Sequence, residues 1–428
     1  MSNPSDSRPA GRVVLFTNGD TAYEFFRDLG EGRVGERILL AQTRTPRGLG
    51  DCVVLKCLPL PKAADTTEKH QRARARLEEE VRLAQYLQHP SIARVYGLFA
   101  LENGLCVAME SVEGLSLNTL LAVAQARGRY FSEAFILYVG AEAAAALSYV
   151  HTCTDDAGIP LGIVNRDINP TRIRLGPHGE VRLTDFGVAL SRLSGRLATS
   201  LPRPQGEVLY SAPEVLLGEG VDARADLFSL GLTLLEFATG RHLYDPSHLR
   251  IEEVEARLST EERERVLAAS VASLVTELPP FAEDAIWCAM AYRSGDIEHA
   301  ARGLAVPLRD IIHTLLCRNP SDRFGTAREL ELVMRARLSA LGPYTGADAL
   351  KEVQTALGDI GAGLWDFELP SDEGGITPPV PEAYGADAVS TASGTPRAGG
   401  RRSKLSDDTP TEPGVPPRNR RLTKQPTA

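Results

Sequence analysis

Asp167 and Asp185 stand eighteen residues apart in GIVNRDINPTRIRLGPHGEVRLTDFG, the segment from Gly162 to Gly187. Two carboxylates so placed suit phosphoryl transfer. One can accept the proton of an attacking hydroxyl while the other holds a metal ion against the phosphates. Lys56 closes the apolar run VVLK, and Glu80 lies further on in LEEEVRLAQ. A strand lysine paired with a helix glutamate can hold the α- and β-phosphates of a nucleotide, although such a pair can equally be a plain structural ion pair. Gly30, Gly32 and Gly35 form GEGRVG. Glycines there let backbone amides approach phosphate, but alone they read equally well as an ordinary hairpin. Between the two aspartates, Arg172 and Arg174 stand where the same chemistry calls for an amide and an apolar side chain.

The elements that must position these residues are legible in the apolar pattern. From Arg12 to Leu58, short β-like runs (RVVLF, YEFFRDLG, RILLAQ, DCVVLKCL) alternate with Gly- and Asp-containing turns. Residues 70–88 then place Leu77, Val81, Ala84 and Leu87 at helical spacing. Strand-like ARVYGLF and LCVAMES follow, and beyond Gly114 long helical runs take over, as in 134–151 and 225–240. The expected fold is α+β in two lobes. Residues 12–113 form a small β-rich lobe with one helix, and 114–343 form a large helical lobe. Residues 1–11 and the chain beyond Trp365 lack apolar periodicity and are expected to be disordered. Within 344–428, residues 347–361 carry Leu350, Val353, Leu357 and Ile360 on one helical face.

Composition narrows the function classes. The chain has 428 residues, 43% of them hydrophobic and 24% charged, with a formal net charge of -9. Nothing in that balance calls for nucleic acid. The last thirty residues are basic, including Arg401, Arg402, Arg420 and Arg421, which reads as a solvated tail. No apolar run reads as a membrane span, and the first residues are not a signal peptide, so a cytoplasmic location is expected. Six scattered cysteines without a C-x-x-C pair are expected to be thiols.

Order and spacing of these motifs resemble the protein kinase family, in particular bacterial Ser/Thr kinases of eukaryotic type. The resemblance continues through Ala212-Pro213-Glu214, Asp226 and Gly231 in DLFSLG, and Arg323 in NPSDRF. It covers roughly residues 22–340 and implies ATP and Mg2+ as cofactors and a protein as substrate or signalling partner. By that resemblance Gly30, Gly32 and Gly35 cover the phosphates, Lys56 holds them and Glu80 orients Lys56. Glu110 and Val112 bound the hinge that meets adenine, with Met109 guarding the pocket behind it. Asp167 is the catalytic base and Asp185 the metal ligand. Glu214 and Arg323 lock the activation segment to the large lobe. Oligomeric state is not implied.

Several positions depart from that pattern. The family's His-Arg-Asp-x-Lys-Pro-x-Asn reads Asn165-Arg166-Asp167-Ile168-Asn169-Pro170-Thr171-Arg172. Arg172 replaces an amide oxygen that binds magnesium, and arginine has no acceptor to offer. A unit positive charge about 5 Å from a dication costs on the order of 6–7 kcal/mol at an effective dielectric near 20. The side chain must swing outward or grip phosphate in place of a metal. Arg174 replaces an aliphatic floor under adenine. Arg37 falls where the roof has valine, unless a bulge presents Ile38 instead. Asn169 removes a cation. Glu207 replaces a threonine that meets the catalytic aspartate, and its charge is expected to repel Asp167. Asn165 and Ala84 are smaller than the family's side chains around Phe186. Together these changes favour a kinase-fold signalling protein with a degraded ATP and magnesium site, a pseudokinase. The alternative is an active or low-activity Ser/Thr kinase. Ser191, Ser194, Thr199 and Ser200 lie in the implied activation segment.

Overall fold

Alternation in the first hundred residues becomes a six-stranded antiparallel sheet. Its strands are β1 (Val14–Asn18), β2 (Thr21–Glu31), β3 (Arg37–Thr45) and β4 (Gly48–Pro59), then, after helix α1 (Thr67–Ala84), β5 (Val95–Leu101) and β6 (Gly104–Glu110). They lie in the order β1-β2-β3-β4-β6-β5. The computed structural model describes residues 13–32, 35–60, 67–193, 206–244, 251–275 and 282–361. The expectations for residues 1–11, for the chain beyond 361, and for Ser194, Thr199 and Ser200 lie outside the described residues.

Because side chains alternate across a strand, β3 and β4 sort into two faces. Leu39, Ala41, Val53 and Leu55 pack with Tyr23, Cys106 and Ala108 on the outer face. Ile38 and Lys56 are cross-strand partners on the other face, and Leu58 there packs with Val107, Ala73 and Leu77 against α1. Arg37 sits opposite Cys57 and pairs with Asp28, away from the cleft. The β2–β3 register shifts between Asp28 and Gly30. Ile38 therefore forms the roof, and the alternative of Arg37 in that place is ruled out. Cys57 and Cys106 meet across β4 and β6 and form a disulfide. That corrects the expectation of thiols for this pair, whose partners lie 49 residues apart with nothing in their spacing to link them. Cys52, Cys153, Cys288 and Cys317 are not in disulfides.

Next come β7 (Leu115–Ser116), α2 (Leu117–Ala126), α3 (Glu133–Thr152), β8 (Ile173–Leu175), β9 (Val181–Leu183), α4 (Pro213–Leu216) and α5 (Arg224–Thr239). The remaining helices are α6 (Ile251–Ala256), α7 (Thr260–Val275), α8 (Ala282–Ala291), α9 (Ser294–Ala300), α10 (Val306–Leu315), α11 (Ala327–Leu341) and α12 (Gly346–Asp359). Strands β7, β8 and β9 form a small second sheet. Ser116 and Ser132 cap α2 and α3 by accepting from the backbone N–H groups of Thr119 and Phe135. Gly240, left-handed at φ 68, ends α5.

The large-lobe core forms around α3 and α5, whose Phe135, Leu137, Leu147, Leu227, Leu230 and Leu234 are fully buried. Helix α3 has 20 residues and is long and apolar enough to cross a membrane. Its length exceeds what the sequence reading expected of any run, but 61% of its apolar window is buried inside the large lobe, so it gives no clear membrane span. An all-round apolar helix is what the centre of a large core requires.

Candidate active site

Helix α1 rests on the sheet through Ala73 and Leu77, which sets Glu80 beside Lys56. Lys56 Nζ lies 2.7 Å from Glu80 Oε1 and 2.9 Å from Asp185 Oδ1. The sheet and α1 thus grip a residue of the large lobe through one buried ammonium. Burial alone would lower the Lys56 pKa, but Asp185 and Glu80 outweigh it and hold the lysine above its ordinary value. Burial pushes Glu80 up, and the charges of Asp185 and Glu36 add to it against Lys56.

Helix α5 places the other half. Asp226 in its first turn accepts from the backbone N–H groups of Asn165 and Arg166, each at 2.8 Å, and also meets His151 Nε2 at 2.8 Å. The loop carrying Asp167 is thereby fixed to the large-lobe core. Arg166 and Asp185 adopt positive φ, 64° and 66°. Two non-glycine residues in that region signal backbone held by its surroundings, a feature concentrated at functional sites. Asn165 donates through Nδ2 to the Asp185 carbonyl at 3.2 Å and accepts from the Asp167 N–H at 2.9 Å. The loss of bulk expected at Asn165 is thus offset by hydrogen bonds to the two segments it must join.

Arg172 does not swing outward. It turns inward, with Nε 3.1 Å from Asp167 Oδ2 and Nη2 2.9 Å from Asp185 Oδ2. One guanidinium bridges both aspartates. Asp185 therefore gives Oδ1 to Lys56 and to the Gly187 N–H, and Oδ2 to Arg172. Burial would raise the Asp185 pKa, but Lys56 and Arg172 drive it well below the usual carboxylate range. Asp167 also accepts from Asn169 Nδ2 at 3.1 Å and from the Glu207 N–H at 2.7 Å. Glu207 thus meets Asp167 through its backbone donor, a favourable contact that the residue's charge alone does not suggest.

The cleft between the lobes measures about 1280 Å³ and is lined by Ile38, Lys56, Met109, Val112, Arg172 and Arg174 among others. Arg174 extends under it to the Gly114 carbonyl, and its Nε is buried without a hydrogen-bond partner. Burial lowers its pKa, the mark of a charge held out of water. Glu110 ends β6, and its carboxylate receives Arg182 at 2.5 and 2.8 Å and the Arg94 N–H at 3.0 Å. Of the three glycines in GEGRVG, Gly30 and Gly35 have positive φ. A Cβ on Gly32 would collide with the Glu36 carboxyl group, which is buried beneath it.

Glu36 and Arg182, the partner of the hinge residue Glu110, are site residues that the sequence reading missed. Glu36 had one visible signal, its place directly after GEGRVG, but only the folded loop shows that it turns inward. Two cations, Lys56 and Arg172, thus lie among four carboxylates: Glu36, Glu80, Asp167 and Asp185. Under a glycine-rich loop a carboxylate opposes phosphate binding. The arrangement also does not fit magnesium. The amide ligand is absent and both oxygens of Asp185 are engaged by nitrogen donors.

In the large lobe Glu214 and Arg323 form the expected pair, Oε1 to Nη1 at 2.7 Å and Oε2 to Nη2 at 2.9 Å, both residues buried. Ser191 is buried too, its Oγ 3.3 Å from Glu79 Oε1 on α1.

A curled sheet with one helix, a helical lobe and a Lys–Glu–Asp constellation between them define a two-lobed kinase-type fold. The chain matches the protein kinase domain over residues 23–332, and it belongs to the protein kinase family. It is 34% identical over 242 residues to the tyrosine-protein kinase MasK of Myxococcus xanthus, a match spanning 56% of this chain and 36% of that protein. To the serine/threonine-protein kinase PknJ of Mycobacterium tuberculosis it is 30% identical over 329 residues, 76% of this chain and 46% of that protein. The match therefore covers less than half the length of either relative.

Proposed function

We propose that this protein is a pseudokinase, a kinase-fold signalling component that acts by binding proteins and by conformation, with phosphotransfer weak or absent. The observation that carries the reading is Arg172 bridging Asp167 and Asp185. A catalytic base must be open to a hydroxyl proton, and a metal ligand must offer an oxygen to a cation. Here one guanidinium occupies both. Arg174 in the floor and Glu36 under the glycine loop weaken nucleotide binding further.

A second reading, a low-activity Ser/Thr kinase, draws on Glu80 and Asp185 each standing within bonding distance of Lys56. Thermal-shift titration with ATP, with and without magnesium, beside a radiolabel transfer assay separates the two. The pseudokinase reading expects no magnesium-dependent stabilisation and no transfer to protein. Robust transfer by the unaltered chain, lost on Asp167→Ala, would overturn it.

A further inference from the structure

Helix α12 lies beyond residue 332, where the family match ends, yet it is built into the structure around the cleft. Ala349, Val353, Ala356 and Leu357 bury one face of it, and it packs against α2, the helix that follows the hinge. Glu352 is its principal tether. One carboxylate oxygen accepts from the Ser132 N–H at 2.7 Å, the other from Ser132 Oγ at 2.8 Å and from the Tyr344 hydroxyl at 3.0 Å. Ser132 is also the N-cap of α3, so the start of that core helix and α12 share one anchor. At its other end Asp359 lies 3.5 Å from Arg129 and 3.8 Å from Arg127.

The first residue of α12 presses on the turn between β8 and β9. Gly179 in that turn has φ +82°, and a Cβ there would collide with the Gly346 backbone. A Cβ on Gly346 would lie 3.0 Å from both the Gly179 carbonyl oxygen and the Tyr138 hydroxyl. Tyr138 donates to that same carbonyl at 2.7 Å. Burial pushes its pKa up to about 12, so it remains a donor at neutral pH. The contact needs glycine at 179, and a side chain at 346 would force its neighbours to give way, which marks a fitted interface rather than a loosely covering helix.

The β8–β9 hairpin is the part of the large lobe that carries the cleft's unusual chemistry. Arg172 enters it, Arg174 and Arg182 lie on its strands, and Asp185 leaves it two residues after Leu183. The Thr184 N–H donates to the Arg172 carbonyl at 2.9 Å and the Leu183 N–H to Ser91 at 2.8 Å, so the hairpin also joins the lobes.

We propose that α12 is a clamp that holds the β8–β9 hairpin in register, so that its release loosens the Arg172–Asp185 closure of the cleft. The Glu352–Ser132 tether holds the helix down and the Gly179–Gly346 contact transmits its position. Any signal that lifts α12 thereby acts on the cleft from outside the residues that match the family. This inference concerns cleft geometry and stands whether or not the cleft transfers phosphate.

The test uses the full chain with Glu352→Ala, read by hydrogen exchange and by phenylglyoxal labelling of arginines. Amide exchange at Leu183 and Thr184 is expected to rise about tenfold or more while α5 stays protected. Labelling of Arg172 should accelerate relative to Arg37, which lies outside the clamp. Glu352→Gln, which keeps an acceptor for Ser132, should fall between wild type and Ala. Tyr344→Phe removes one hydrogen bond and should shift the hairpin slightly without threatening folding. If α12 itself exchanges faster while the hairpin and Arg172 do not change, the helix is only a cover and the proposal fails. It fails equally if exchange rises uniformly across both lobes in Glu352→Ala and Tyr344→Phe leaves the hairpin unmoved.

Discussion

Arg172 decides the character of the cleft because it satisfies two carboxylates at once. Replacing it with asparagine removes the bridging charge and restores an acceptor oxygen at the entry to β8. Magnesium-dependent ATP binding should then tighten by about tenfold or more, since the repulsion removed is several kcal/mol. Calorimetric titration with and without magnesium measures this. Arg172→Asn with Arg174→Leu should tighten it further by rebuilding the floor. Binding that weakens in the single variant would mean that the guanidinium holds phosphate. A second consequence follows from pH. The folded-state pKa of Asp185 is depressed, so its ionised form stabilises the protein above the ordinary carboxylate value of about 4 and is lost as pH falls through the depressed value. Arg172→Ala removes one of the two cations responsible, so acid unfolding followed by circular dichroism should begin at higher pH than in wild type. An unchanged or lower acid midpoint would contradict that coupling.

At the scale of elements, the active-site loops are held by partners distant in sequence. Asp226 in α5 fixes the loop before Asp167, and Arg323 fixes α4 through Glu214. Arg323 also donates to the carbonyls of Cys317, Arg224 and Arg318 and stacks over Phe228 at 4.7 Å. Truncating it leaves Glu214 buried without its counterion and three carbonyls without their donor. Arg323→Ala should destabilise the large lobe by about 3–5 kcal/mol in urea unfolding. An unaltered midpoint would show that the pair is not what joins α4 to the lobe.

Across the whole molecule, Lys56 is a tie between the lobes. It joins β4, α1 and the segment after β9 with charges that are almost entirely out of water. The Glu110–Arg182 pair and the Ala93–Leu183 backbone bond repeat that tie near the hinge. Lys56→Met keeps the volume but leaves Glu80 and Asp185 without their shared cation. The expected loss is about 3–5 kcal/mol, with a larger radius of gyration in small-angle scattering as the lobes separate. Equal stability and an unchanged radius would assign lobe closure to the hinge contacts alone.

The sequence by itself determined the two-lobed fold, because period-two runs before Gly114 and helical runs after it admit few packings. It also determined the Lys56–Glu80–Asp185 alignment and the Glu214–Arg323 pair, since motif order survives in a linear string. Helix α12 was legible from Leu350, Val353 and Leu357, but not its seat on Ser132 and Gly179. Tertiary structure alone decided where Arg172 points, that Glu207 meets Asp167 through its backbone, and that Ile38 rather than Arg37 faces the cleft. It alone brought Cys57 to Cys106 and folded Glu36 beneath Gly32. The physical reason is common to all of these. A side chain's direction depends on strand register and on charges that arrive from remote segments, and neither is written in local spacing.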